Sequence, residues 1–182
     1  HCFRHDFSKK SKSEIVTKES TLKLSNTKIL NKYQLTSGFY AGITLNYPGS
    51  GYIDFYKDHI IVLSSRGILV FKKNIGDTEE NFKQIKNNIN EFININQFKQ
   101  NKKFSLKDIF IFNDNIYVSF TEEIEENCWN TSIIYGDMDY ENINFKKLFS
   151  SKDCVHSIDN RDKEFSSGQS GGRIVAFDDK HL

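Results

Sequence analysis

The chain has 182 residues, with 25 Lys and Arg against 24 Asp and Glu, and a net charge of +1. That length suits one ordinary domain and excludes several. Balanced charge argues against bulk nucleic-acid binding, and no run of about 18 apolar residues supplies a membrane-spanning helix. Hydrophobic residues at 37% and aromatics at 14% are enough for a packed core.

Residues 1–20 are polar, charged and aperiodic, and read as a linker or arm that includes Cys2. Its basic cluster Lys9, Lys10 and Lys12 is diluted by Asp6 and Glu14, so it is solvated tail rather than a focused patch. The strong excess of lysine over arginine reads as codon bias. Residues 21–182 form the second region, a β-rich domain. Leu22 and Leu24, then Ile29 and Leu30, predict its first strand. From Gly51 to Phe71 three β-branched or aromatic runs are separated by polar turns at Lys57-Asp58-His59 and Ser65-Arg66-Gly67, the chemistry of an up-and-down hairpin series.

Residues 78–94 break the alternation. Phe82, Ile85, Ile89 and Phe92 are spaced three, four and three apart, which predicts a short helical insertion with Thr78 as N-cap and Glu79 and Glu80 in its first turn. The strand pattern resumes at Ser105 and runs through a turn to Phe120. Thr131–Tyr135 and Ile143 to Leu148 complete a four-stranded unit, and Glu122, Glu123, Glu125 and Glu126 read as a solvated hairpin loop.

Ile53, Phe55, Asp58, Ile60 and Val62 recur as Ile109, Ile111, Asp114, Ile116 and Val118. Val175, Phe177, His181 and Leu182 follow Ile109, Ile111, Asn115 and Ile116 as the start of a third copy. Four-stranded repeats of about 40–50 residues are the mark of propeller blades; the longer periods here accommodate the insertion and loops. The expected fold is all-β: an incomplete β-propeller of about two blades plus the start of a third. Each blade has an apolar face that only a neighbour buries, so the chain reads as a fragment of a longer protein, unstable alone.

Three landmarks in order resemble the PQQ-dependent glucose/sorbosone dehydrogenases, a family of six-bladed propellers. They are Pro48-Gly-Ser-Gly-Tyr-Ile with Lys57-Asp58 and Arg66-Gly67; Leu106-Lys-Asp-Ile with Asn115-Ile-Tyr-Val-Ser-Phe-Thr121; and Gln169-Ser-Gly-Gly-Arg-Ile-Val175. The resemblance implies a quinone-dependent sugar or alcohol oxidoreductase using PQQ and calcium, periplasmic or anchored to the membrane upstream of His1. It places Gln169 where the family carries its catalytic histidine. A neutral amide binds a hydroxyl but has no usable pKa near neutrality, so it cannot act as base. The family's cofactor-site glutamine falls near Lys103, and no metal ligands are assigned within these residues. The rival expectation is a non-catalytic propeller that binds a carbohydrate or a protein on the same face. Arg173 is either a pocket-facing contact for an anion or quinone, or a structural tie between blades.

The implied exported setting favours a Cys128–Cys154 disulfide, with two unpaired buried thiols as the other reading; Trp129 would pack beside it. No Cys/His cluster has zinc-ligand spacing. His156 is a loop histidine or a substitute base, and His59 and His181 hold equivalent turn positions. Asp137-Met138-Asp139 lacks the later residues of a calcium loop and reads as a turn. Gly168-Gln-Ser-Gly-Gly-Arg173 lacks the Lys-Ser/Thr end of a phosphate loop; its glycines suit a close backbone approach. Asn130-Thr-Ser132 matches a glycosylation acceptor.

Overall fold

A computed structural model of the chain describes residues 18–25, 27–34, 51–64, 67–73, 82–93, 106–156, 172–179 and 181–182. Strands β1 (Lys18–Lys23) and β2 (Ile29–Gln34) form a hairpin, so the first strand begins inside the segment expected to be an arm. Residues 1–17 lie outside the described residues.

Four strands follow as a meander: β3 (Gly51–Tyr56), β4 (His59–Ser64), β5 (Leu69–Lys73) and β6 (Lys83–Asn87). All three pairings between them are antiparallel. A second meander comprises β7 (Leu106–Phe112), β8 (Asn115–Glu125), β9 (Cys128–Asp137) and β11 (Lys146–Ser150). The two-residue strand β12 (Val155–His156) adds to the far end of β9. The chain is thus all-β, with two blade-like units and the opening of a third at residues 172–179. Both meanders turn tightly on positive-φ residues, Lys57 in the first and Asn113 with Asp114 in the second. Short polar side chains tolerate that conformation best, which suits the second turn.

The units stack face to face. Ile61, Leu63, Leu69 and Ile85 of the first share one core with Ile116, Val118, Phe120 and Ile134 of the second, all nearly free of solvent. Burial of each such side chain stabilises by roughly 1.5–3 kcal/mol, and neither sheet could bury them alone.

Two expectations are corrected. The helical insertion is one turn, α1 (Ile89–Phe92), and the residues before it are strand β6. A spacing of three puts Phe82 and Ile85 on opposite faces of an extended chain. Phe82 packs with Val62 and Val70, while Ile85 joins the inter-sheet core. The helical spacing is assembled from different elements: Phe82 precedes β6, Ile85 is the single apolar residue within it, and Ile89 and Phe92 belong to α1. Thr78, Glu79 and Glu80 lie outside the described residues.

The second correction concerns Ile143, expected in the second unit. It lies in β10 (Asn142–Ile143), which leaves that unit and pairs in parallel with β6 at the outer edge of the first. The excursion is clamped by Asn88, whose Oδ1 accepts from Phe145 N at 2.7 Å, and by Lys86 N donating to Glu141 O at 3.0 Å. Gly136 permits it, since a Cβ there would stand 2.8 Å from Ile143 Cγ2.

Candidate functional site

The innermost strands β3 and β7 and the segment Gly172–Phe177 lie side by side, joined by hydrogen bonds that recur from unit to unit. Asp54 Oδ2 accepts from Ile111 N at 2.6 Å, and Asp108 Oδ2 accepts from Ile174 N at 2.9 Å. The Tyr52 hydroxyl donates to Leu106 O, and the Ser119 hydroxyl donates to Gly172 O. At the turns, Tyr56 Oη donates to Asp114 Oδ1 at 2.6 Å and Asn113 Nδ2 to Asp179 O at 3.2 Å.

The described end of the third landmark, from Gly172 on, is therefore seated on the second sheet. Gly172 lies so close to it that a Cβ would stand 2.6 Å from Lys107 Cβ. Burial pushes the Lys107 ammonium down to about 8. Lys107 occupies the β-bulge between Leu106 and Asp108, where an extra residue leaves the ladder. Ile174 is buried and Arg173 is exposed, as alternation along an extended segment requires. Gln169 and Lys103 lie outside the described residues. Of the sequence-predicted site, Arg173 thus follows a glycine that packs on Lys107, a half-buried lysine that sequence reasoning passed over, and its own side chain is exposed. A lone lysine in a strand offers no signal until the bulge and the glycine above it are seen.

The turn end of the same two units carries an aromatic cluster. The His59 ring lies 4.4 Å from Tyr140, and Tyr140 lies 4.8 Å from Phe71. His59 Nδ1 is 2.7 Å from Asp58 Oδ1 and 3.0 Å from the Tyr140 hydroxyl. Burial raises the Tyr140 phenol above its ordinary value. His181 Nδ1 meets Asp178 at 2.8 Å in the corresponding third turn, so His59 and His181 both anchor turns. The partner Tyr140 could not be found from sequence, because the β10 excursion alone brings it there.

On the second sheet Glu122 lies within strand β8 and not in a solvated loop, which corrects the reading of the acidic stretch. It accepts from Lys147 Nζ and Ser132 Oγ, and from Ser150 Oγ at 3.1 Å. Burial alone would raise its carboxyl, but these bonds hold it below the usual carboxylate range. Asn130 completes the network by donating to Ser151 O at 2.6 Å, and its side chain is buried. The glycosylation acceptor is therefore already engaged within the fold.

Cys128 and Cys154 form the disulfide, with Cα atoms 5.4 Å apart. It ties β9 to the chain leaving β11, and His156 pairs with Cys128 in β12, separated from β7 by β9 and β8. Asp137 ends β9, and Met138 and Asp139 lead into a bend at residues 140–141, where Glu141 N donates to Asp139 Oδ1 at 2.8 Å. Among the described residues no three His, Cys, Asp or Glu side chains are grouped to hold a metal ion, and no helix is long and apolar enough to cross a membrane.

No protein-family model matches the chain, and no curated protein matches it. Its structure is similar to a glucose dehydrogenase, with a TM-score of 0.35 and 14% identity over 56% of this chain and 32% of that one. It is also similar to the N-terminal domain of Nup159, with a TM-score of 0.38 and 10% identity over 65% of this chain and 30% of that one. The chain spans less than a third of the length of either, and likeness at this level says nothing about activity.

Proposed function

We propose that the chain is part of an exported propeller, resembling the PQQ-dependent sugar dehydrogenases, that binds a carbohydrate without oxidising it. The observation that carries this reading is the seating of Gly172 on Lys107 and Ser119, which leaves Arg173, the next residue, exposed. A guanidinium and a partly desolvated ammonium offer donors to sugar hydroxyls or a uronate carboxylate. Gln169, which the resemblance puts at the position of the family's general base, is a neutral amide and cannot take that role. The disulfide supports an oxidising compartment outside the cytoplasm, in the periplasm or at a membrane surface.

PQQ and calcium belong to the oxidoreductase alternative. The described residues hold no carboxylate cluster suited to calcium, and Arg173 is the described residue of the third landmark that could meet a quinone oxygen. Titration of neutral and acidic monosaccharides, read by saturation-transfer NMR, tests the proposal. Binding lost in Arg173→Ala and retained in Asp58→Ala supports it. PQQ-dependent dye reduction by the wild-type chain, or failure of the whole sugar panel to bind, overturns it. A gain of dye reduction in Gln169→His alone would show that the site is a dehydrogenase site that lacks its base.

A further inference from the structure

At the turn end of the seam between the two units, two tyrosine rings are held in fixed positions. Tyr56 ends β3, and its hydroxyl donates to Asp114 Oδ1 at 2.6 Å in the turn of the second unit. Tyr140 arrives with the β10 excursion, and its ring stands 5.8 Å from that of Tyr56 at an angle of 47°. Phe71 and His59 pack on Tyr140 at 4.8 and 4.4 Å. Two carboxylates lie close by. Asp114 bonds to Tyr56, and Asp58, whose side chain is 54% exposed, acts on the Tyr140 phenol through its charge. An ammonium is already drawn to this surface, since Lys57 Nζ stands 4.6 Å from the centre of the Tyr56 ring. Tyr56 first, with smaller help from Asp114 and Tyr140, holds that ammonium above its ordinary value.

Lys57 stands there against the preference of its turn. Its φ is 54°, in the left-handed region, and the equivalent residue of the second unit is Asn113, with φ 49°. Asparagine tolerates that region and lysine does not favour it, so the lysine's gain is the contact of its ammonium with Tyr56. We infer that Tyr56 and Tyr140, flanked by Asp58 and Asp114, form a binding site for the alkylammonium group of a ligand, with Lys57 as its tethered competitor. Ring faces attract a cation through their quadrupole, and two carboxylates supply the opposite charge. The hydroxyl bonds of Tyr56 to Asp114 and of Tyr140 to His59 fix both rings beforehand, so a ligand does not bear the cost of ordering them. Both rings belong to the seam that joins the two units. The inference does not rest on the sugar reading, because neither Arg173 nor Lys107 takes part in it.

The test titrates choline, n-butylammonium and an uncharged alcohol with carbon in place of the choline nitrogen into the full chain. The readout is the NMR shifts of the Tyr56 and Tyr140 ring protons. Lys57→Asn removes the tethered cation and suits the turn. It should bind one or both cations roughly two- to fivefold more tightly than the wild type, as release of an exposed cation–π contact requires. The alcohol should leave both rings unshifted. Added to Lys57→Asn, Tyr140→Leu should abolish binding, and Tyr140→Phe, which keeps a ring, should retain it. Equal affinity of Lys57→Asn and the wild type for both cations, equal shifts with the alcohol, or ring protons of Tyr56 and Tyr140 that respond to neither cation overturns the inference. If Tyr140→Leu fails to fold, the ring shifts in Lys57→Asn locate the site without it.

Discussion

Replacing Asp54 by alanine tests whether the hydrogen bonds between inner strands hold the units together. One carboxylate oxygen accepts from Ile111 N at 2.6 Å, across the unit boundary, and the other from Phe55 N at 2.7 Å within β3. The Phe55 bond is exposed, so water replaces it at little cost. The Ile111 bond is partly buried and charge-assisted, and its loss leaves a donor without a partner. Such a loss costs about 1.5–3 kcal/mol. For a domain of this size, that lowers the melting temperature by roughly 3–12 °C. Asparagine keeps one acceptor oxygen and should cost about 1 kcal/mol. Urea unfolding followed by the fluorescence of Trp129, the single tryptophan, gives the equilibrium value. Amide exchange at Ile111 reports the bond itself. Asp54→Ala within about 0.5 kcal/mol of the wild type, the range of an ordinary surface change, would refute the reasoning. So would unaltered protection at Ile111.

Three further outcomes are expected. Replacing both Cys128 and Cys154 by serine opens a loop of 26 residues and should destabilise by about 3.5 kcal/mol on the chain-entropy account, read as a lower urea midpoint; equal midpoints contradict it. Glu122 has a folded pKa below its unfolded value, so its stabilisation is complete above the ordinary carboxylate range and is lost as pH falls through the depressed folded value. Glu122→Gln should therefore lower the midpoint at neutral pH and flatten the acid limb between about pH 5 and 2, and an unchanged limb would contradict this. Lys107 has a folded value of about 8, below the 10.5 of a free lysine, so between these values the unfolded chain binds the extra proton and stability rises with pH. Lys107→Met should raise the midpoint at pH 7, with the gain fading towards pH 10.5; a gain independent of pH would assign the effect to packing.

The repeat was legible because its strands alternate over polar turns: Ile53, Phe55, Ile60 and Val62 recur as Ile109, Ile111, Ile116 and Val118, and the structure pairs both sets in the same way. The disulfide was reachable only through the family resemblance, since spacing alone does not select a partner. Glu122 looked like loop because four glutamates within five residues suggest solvent. It is a strand residue because Lys147 and two serines from neighbouring strands meet it there. Of the candidate site, the sequence marked Arg173 but left its role open between ligand contact and structural tie.

Period, turn chemistry and the recurrence of apolar positions by themselves determined that the chain is all-β and built of stacked four-stranded units. These are local signals, set by residues within a few positions of each other. Tertiary structure decided that residues 83–87 are a strand, that Ile143 crosses to the other sheet, and that Tyr140 meets His59 across 81 residues. It also decided that Lys107 lies under Gly172. Each of these depends on which faces are buried against which. A strand with Ile85 as its single apolar residue shows no alternation that would have revealed it, and long-range contacts leave no mark on the spacing of the residues that make them.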